Sequence, residues 1–166
     1  MPTADREHDT HAAPPRVTVV VEVPRWSFLK RGSSGMVDFV SPLPCPFNYG
    51  AVPGLVGLEG DLLDALVLGP RLARGTRLRV DAFGAVGFID RGIYDDKLVC
   101  WTHPPSPRQR ALVVTFFRFY AFAKGLLNLL RGQPGRMACT GWGDARAALA
   151  RASAPDDEWH GPATRF

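Results

Sequence analysis

The sequence predicts an α+β fold, a small closed β-barrel with two helices packed outside it. Short β-branched runs follow one another at turn-length spacing with no helical stretch between them, and two helical stretches come only afterwards. The 166 residues, 46% hydrophobic and 22% charged, have the make-up of one domain with one core.

The elements follow in order along the chain. Arg16–Val23 is rich in valine and stops at Pro24, so it reads as a buried strand whose ladder the proline ends. Residues 42–53 carry prolines at 42, 44, 46 and 53 together with Asn48 and Gly50, which excludes helix and predicts an irregular loop. Residues 65–68, 77–83, 85–89 and Lys97–Trp101 are further short strands separated by glycine- or aspartate-bearing turns. Ser106 before Pro107 is a cap followed by a proline at the first helical position, opening a helix to about Leu130. Asp144 starts a second, alanine-rich helix ending near Ala152. Residues 1–15 and 153–166 are expected as flexible tails flanking a domain at 16–152.

Charge and composition narrow the function classes. A net charge of +4 and a pI near 9.3 suit an anionic ligand, but blocks of adjacent basic residues are missing, so no nucleic-acid surface is expected. Lysine occurs only at Lys30, Lys97 and Lys124, and arginine supplies the rest of the positive charge. Three widely spaced cysteines, Cys45, Cys100 and Cys139, suggest neither a disulfide framework nor a zinc site. With a polar, proline-bearing N-terminus and no apolar signal segment, they point to the cytoplasm. Residues 111–130 are apolar, but Arg118, Lys124 and Asn128 interrupt them. A helix in the core or at a subunit contact is therefore expected, and no membrane partner.

Chemistry is suggested by two acidic groups at strand ends. Glu59, Asp61 and Asp64 precede one strand, and Asp90, Asp95 and Asp96 with Lys97 surround a later turn. Magnesium takes oxygen ligands and keeps several waters, so carboxylates facing a phosphate-bearing substrate suit it. Composition alone leaves open that these are solvated turn aspartates.

Val-Glu-Val-Pro at 21–24, Pro-Phe-Asn-Tyr-Gly at 46–50, Glu-Gly-Asp-Leu-Leu-Asp at 59–64, and Asp90 with Asp95 and Lys97 stand in an order that resembles the family I soluble inorganic pyrophosphatases. Phe116, Phe117 and Tyr120, then Gly141-Trp142 and an alanine-rich helix, extend the similarity over roughly residues 16–152. The resemblance implies an OB-like barrel, a homo-oligomer and hydrolysis of inorganic diphosphate with magnesium, manganese or zinc being alternatives. It implies that Asp61 activates the attacking water. It makes Glu59, Asp64, Asp90 and Asp95 metal ligands, and Lys97 a phosphate-facing catalytic lysine. Tyr49, Tyr120 and Lys30 become substrate-binding groups, with Glu22 at the rim of the site.

The chain also departs from the family pattern. Glu59 replaces an aspartate and Leu62 a proline in the acidic motif, while Ala121 stands where a lysine follows the helical tyrosine. An arginine of the family falls near Val37 to Phe39. The phosphate-binding cations are therefore depleted, with Arg25, Arg31 and Arg118 as candidate replacements. Two other readings stay open at this level. One is a pyrophosphatase-fold protein that binds metal and a phosphorylated ligand with little turnover. The other is an interaction module built on the leucine-rich helix.

Overall fold

The structure, a computed structural model, describes residues 12–31, 37–40 and 44–155, with the backbone alone at 29–31 and 37–40. Its elements run β1 (Arg16–Val23), β2 (Leu29–Arg31), β3 (Val37–Val40), β4 (Asn48–Val56), β5 (Leu62–Val67), β6 (Arg77–Asp90), β7 (Ile93–Tyr94), β8 (Lys97–Trp101), α1 (Pro107–Leu130), β9 (Ala138–Gly143) and α2 (Ala145–Arg151). Five strands in the order β1-β4-β5-β8-β6 close on themselves through the β1–β6 pairing, giving the expected barrel. Every barrel pairing is antiparallel except β5 with β8. Closure leaves these five strands without an open edge among themselves.

Val19, Val20 and Val21 of β1 are all fully buried, and Val17 and Val19 join the barrel core. One core fills the barrel around Val19, Ala65, Leu98 and Cys100. A second lies between the barrel wall and α1, where Phe88, Leu66 and Val99 meet Val113, Phe117 and Ala121. The Phe88 and Phe117 rings meet edge to face at 6.0 Å, a favoured aromatic geometry. Ala121 is therefore a core residue.

Helix α1 begins as the sequence predicts. Ser106 Oγ accepts from the Gln109 N–H at 3.2 Å, Gln109 Oε1 accepts from the Ser106 N–H at 2.8 Å, and Pro107 takes the first turn. Only one stripe of α1 is buried. Leu112, Phe119, Phe122, Leu126, Leu129 and Leu130 are exposed, so this helix, expected in the core or at a subunit contact, has only its inner stripe covered among the described residues. By length and composition alone, α1 is also apolar enough to cross a membrane.

Several expectations are corrected. The loop expected at 42–53 is strand from Asn48 onward; Pro53 is tolerated because the β4–β5 register shifts between Ala51 and Val56, where no ladder donor is required of it. The strands expected at 77–83 and 85–89 are one 14-residue strand, β6, bent at a register shift between Ala82 and Gly84. Gly84 is at the bend because the Trp142 indole lies across it, and a Cβ there would stand 2.3 Å from Trp142 Cζ2. Strands β7 and β9 and the β2–β3 ladder are additional. Ser153, expected in a flexible tail, exchanges two hydrogen bonds with Val56 at 2.8 and 2.9 Å. Pro15 accepts from the Ala82 N–H, so the N-terminal boundary is also tied to the barrel. Residues 1–11 and 156–166 lie outside the described residues.

Asn48 fastens the loops at one end of the barrel. Fully buried, its Oδ1 accepts from the N–H groups of Arg25 (3.1 Å) and Leu72 (2.8 Å), and its Nδ2 donates to the carbonyls of Val67 (3.2 Å) and Pro70 (2.8 Å). All four hydrogen-bonding positions of the amide are used. Asn48→Ala strands these buried partners, so denaturant titration is expected to show a loss of about 3 kcal/mol or more. A loss under about 1 kcal/mol would refute that role for the amide.

Candidate active site

The parallel register of β5 and β8 sets Asp64 directly opposite Lys97. Asp95, two residues before Lys97, is held by its N–H to the Phe88 carbonyl at 3.0 Å. The Lys97 ammonium then donates to Asp64 Oδ2 at 2.7 Å and to both Asp95 oxygens at 2.9 Å, with its side chain only 4% exposed. It also lies over the Tyr49 and Phe88 rings at 5.6 and 5.3 Å. Burial by itself disfavours the ammonium, but Asp64 and Asp95 outweigh it and raise the Lys97 pKa. Tyr49 donates its hydroxyl proton to Asp64; burial first, then the charges of Asp64 and Asp95, raise its pKa well above the ordinary value.

A cleft of about 390 Å³ opens above this triad. It is lined by Tyr49, Glu59, Asp61, Asp64, Asp90, Arg91, Ile93, Asp95, Lys97, Tyr120 and Lys124. The sequence-predicted Asp61, Glu59, Asp64, Asp90, Asp95, Lys97, Tyr49 and Tyr120 are thus brought together from β4, the β4–β5 turn, β5, β6, the β7–β8 connection, β8 and α1. Asp61 is exposed at the mouth, Glu59 is half-buried, and Tyr120 leans on Phe88 and stacks on Phe116.

Other candidates fall elsewhere. Glu22 sits at the β1 register shift, next to Val23, which pairs with Tyr49, but is not among the lining residues. The backbone of Lys30 pairs with Phe39 in the β2–β3 ladder, and its side chain lies outside the described residues. Asp96 turns away from the cleft and accepts from Arg151 Nε on α2 at 2.6 Å. Of the candidate replacement cations, Arg25 donates to the Gly69 carbonyl at 2.8 Å and Arg118 is exposed, neither lining the cleft. Arg31 has no described side chain.

Besides Lys97, the cations that line it are Arg91 and Lys124, which the sequence reading does not single out as site residues. A signal existed for Lys124, which is four residues after Tyr120 and hence on the same helix face. Arg91 had none, because its place depends on a hairpin turn whose partner strand is two residues long.

Five carboxylates face three cations in this cleft. Desolvation, then the charge of Asp95, pushes Glu59 up to about 7. Asp90 Oδ1 is buried and accepts no hydrogen bond among the described residues. An excess of hard oxygen donors, with one buried carboxylate oxygen that accepts no hydrogen bond among the described residues, fits a divalent cation. The four expected ligands are not gathered as a ligand cluster, however; among the described residues no three acidic, histidine or cysteine groups stand close enough to hold an ion. Lys97 draws Asp64 and Asp95 to itself, and Lys124 donates to Asp90.

Comparison with known proteins places this geometry in context. The profile of the family described as inorganic pyrophosphatase matches residues 19–118. The chain is 30% identical over 146 residues to the inorganic pyrophosphatase of Haemophilus influenzae, covering 80% of this chain and 82% of that one. It is 32% identical over 98 residues to that of Gluconobacter oxydans, covering 54% of this chain and 57%, under two thirds, of the relative. The crystal structure of the inorganic pyrophosphatase from Thermus thermophilus superposes with a TM-score of 0.66 at 26% identity, covering 91% of each chain.

Glu59 yields a prediction in pH. The folded chain keeps its proton up to about pH 7, whereas an unfolded glutamate loses it near the ordinary 4.5. Ionised Glu59 therefore opposes folding, stability declines as pH rises from about 4.5 to 7, and the penalty is complete above that window. Without divalent ions, Glu59→Gln is expected to be more stable than the parent chain at about pH 8, with the difference shrinking towards about pH 4.5. Urea titrations at both pH values check it, and an equal difference at both would contradict it.

Proposed function

Because the chain belongs to the inorganic pyrophosphatase family, we propose that it hydrolyses inorganic diphosphate to two phosphates, with Asp61 as the group that takes a proton from the attacking water. The observation that carries this reading is the convergence of Asp61, Asp64, Asp90, Asp95, Lys97, Tyr49 and Tyr120 in one cleft.

Asp61 suits proton removal because it is exposed where water reaches, while the lysines of the cleft are engaged with other carboxylates. Tyr49 and Tyr120 present hydroxyl-bearing rings to the same space and can orient phosphate oxygens. Lys97 acts by position. Buried between Asp64 and Asp95, it fixes both carboxylates and lends positive charge to the cleft floor. Glu59, Asp64, Asp90 and Asp95 are the residues that would hold magnesium, or manganese or zinc in its place. The cation, when bound, supplies Lewis-acid charge against phosphoryl oxygens. Neither Glu22 nor Lys30 is needed by this reading.

Two further parts of the proposal have separate supports. A cytoplasmic location accords with Cys45, Cys100 and Cys139 all being free thiols. A homo-oligomer accords with the outward stripe of α1. Leu112, Phe119 and Leu126 recur every seven residues, and so do Phe122 and Leu129, the spacing of a helix-pairing seam.

Phosphate release from diphosphate with magnesium tests the activity, and Asp61→Asn is expected to lower kcat by about 10²-fold or more. A chelator should abolish release and added magnesium restore it. Purified protein that liberates no phosphate with magnesium, manganese or zinc would sink the reading. For assembly, Phe122→Glu is expected to shift sedimentation to a smaller species, and identical sedimentation would remove α1 from the interface.

A further inference from the structure

The cleft must hold a highly charged anion, yet its most deeply placed cation is already committed. Lys97 bonds two carboxylates, and turning it toward a ligand would leave both without their cation in a poorly solvated place. Among the described residues, the other two basic groups of the lining, Arg91 and Lys124, are the ones placed for a direct cationic grip on substrate.

Lys124 projects from α1 one helical turn beyond Tyr120, and its half-shielded ammonium donates to Asp90 Oδ2. Arg91 follows Asp90 in a two-residue turn that joins Asp90 to its pairing partner Ile93. Arg91 and Gly92 have φ of 49° and 88°, the left-handed pair that this tight hairpin requires. Arginine is an unusual occupant of such a backbone, and an uncommon conformation beside a cleft is a pointer to function.

The loop between α1 and β9 holds the turn in place. Gly92 donates its N–H to the Arg136 carbonyl at 3.1 Å, and Gly135 comes so near that a Cβ there would stand 2.8 Å from Arg91 Cγ. The stem of Arg91 is thereby fixed while its side chain stays 61% exposed, with Nε 3.5 Å from Asp90 Oδ1. A planar guanidinium held this way presents paired donors suited to a phosphate group.

We propose that Lys124 and Arg91 are the phosphate-gripping cations of this site, seizing the outer phosphate of diphosphate while Lys97 stays with its carboxylates. This rests on the diphosphate reading above. Asp90 is the carboxylate that both share, so a divalent cation taken up by Asp90 competes with Lys124 and frees its ammonium for the anion. Removing Lys124 should then move two affinities in opposite directions, which a purely structural role would not do.

The test is calorimetry with methylenediphosphonate, which resists hydrolysis, in saturating magnesium, and separately with magnesium alone. Lys124→Ala and Arg91→Ala are each expected to weaken methylenediphosphonate by about 10-fold or more, as for loss of a charge-assisted hydrogen bond. Lys124→Ala should bind magnesium alone more tightly than the parent chain, and Lys124→Arg should recover most of the diphosphonate affinity. Arg118→Ala, on the outward side of α1, should match the parent in both titrations. If the parent binds the diphosphonate and the Lys124 and Arg91 variants bind it equally well, this proposal is overturned and the diphosphate reading survives. If the parent neither binds it nor releases phosphate, both fall together.

Discussion

The buried ammonium of Lys97 is the interaction on which the cleft depends. The β5–β8 register sets it opposite Asp64, and Asp95 completes a triad from which water is largely excluded. Buried ions are stable only when they neutralise one another and fill their hydrogen-bonding positions, and taking away one member leaves an uncompensated charge. Lys97 places all three of its donors on carboxylate oxygens. The parallel pairing, the inward aim of Asp64 and the bond from Asp95 N–H to Phe88 thus hold each other in place.

The same economy shapes the rest of the site. Carboxylates outnumber cations there, which is the condition for recruiting a divalent ion; burial first, and the charge of Asp95 second, raise the pKa of Glu59. Two of the chain's three lysines are drawn into this cleft. Ala121, where a cation might be sought, instead completes the apolar seam of α1 against the barrel. Positive charge enters one turn later, at Lys124, four residues on from Tyr120 and hence on its face of the helix.

Helix α1 serves two surfaces with opposite demands. Its inner stripe, Val113, Phe117 and Ala121, is matched to Phe88 and the barrel wall, and dispersion and burial hold it there. Its outer stripe repeats at seven-residue spacing and is too apolar to be indifferent to water. Cleft and outer stripe share one rigid element, so the orientation of Tyr120 and Lys124 is coupled to whatever α1 packs against.

Local rules read from sequence determined β1, β8, both helices and their caps, since valine runs, Ser106-Pro107 and Asp144 act within a few residues. Motif order also named the carboxylates, Tyr49, Tyr120 and Lys97 that share the cleft. Asn48 and Pro53 read as loop formers, but pairing with β5 and a register shift made that stretch a strand. Composition alone could not reveal this, because the partner is distant in sequence. Gly84 likewise read as a turn between two strands until the Trp142 indole gave it a role inside one. Only the tertiary structure decided which cations, among the described residues, line the cleft. The faces of α1 and the hairpin at Arg91 are fixed by packing against Phe88 and Gly135, contacts between residues far apart in the chain.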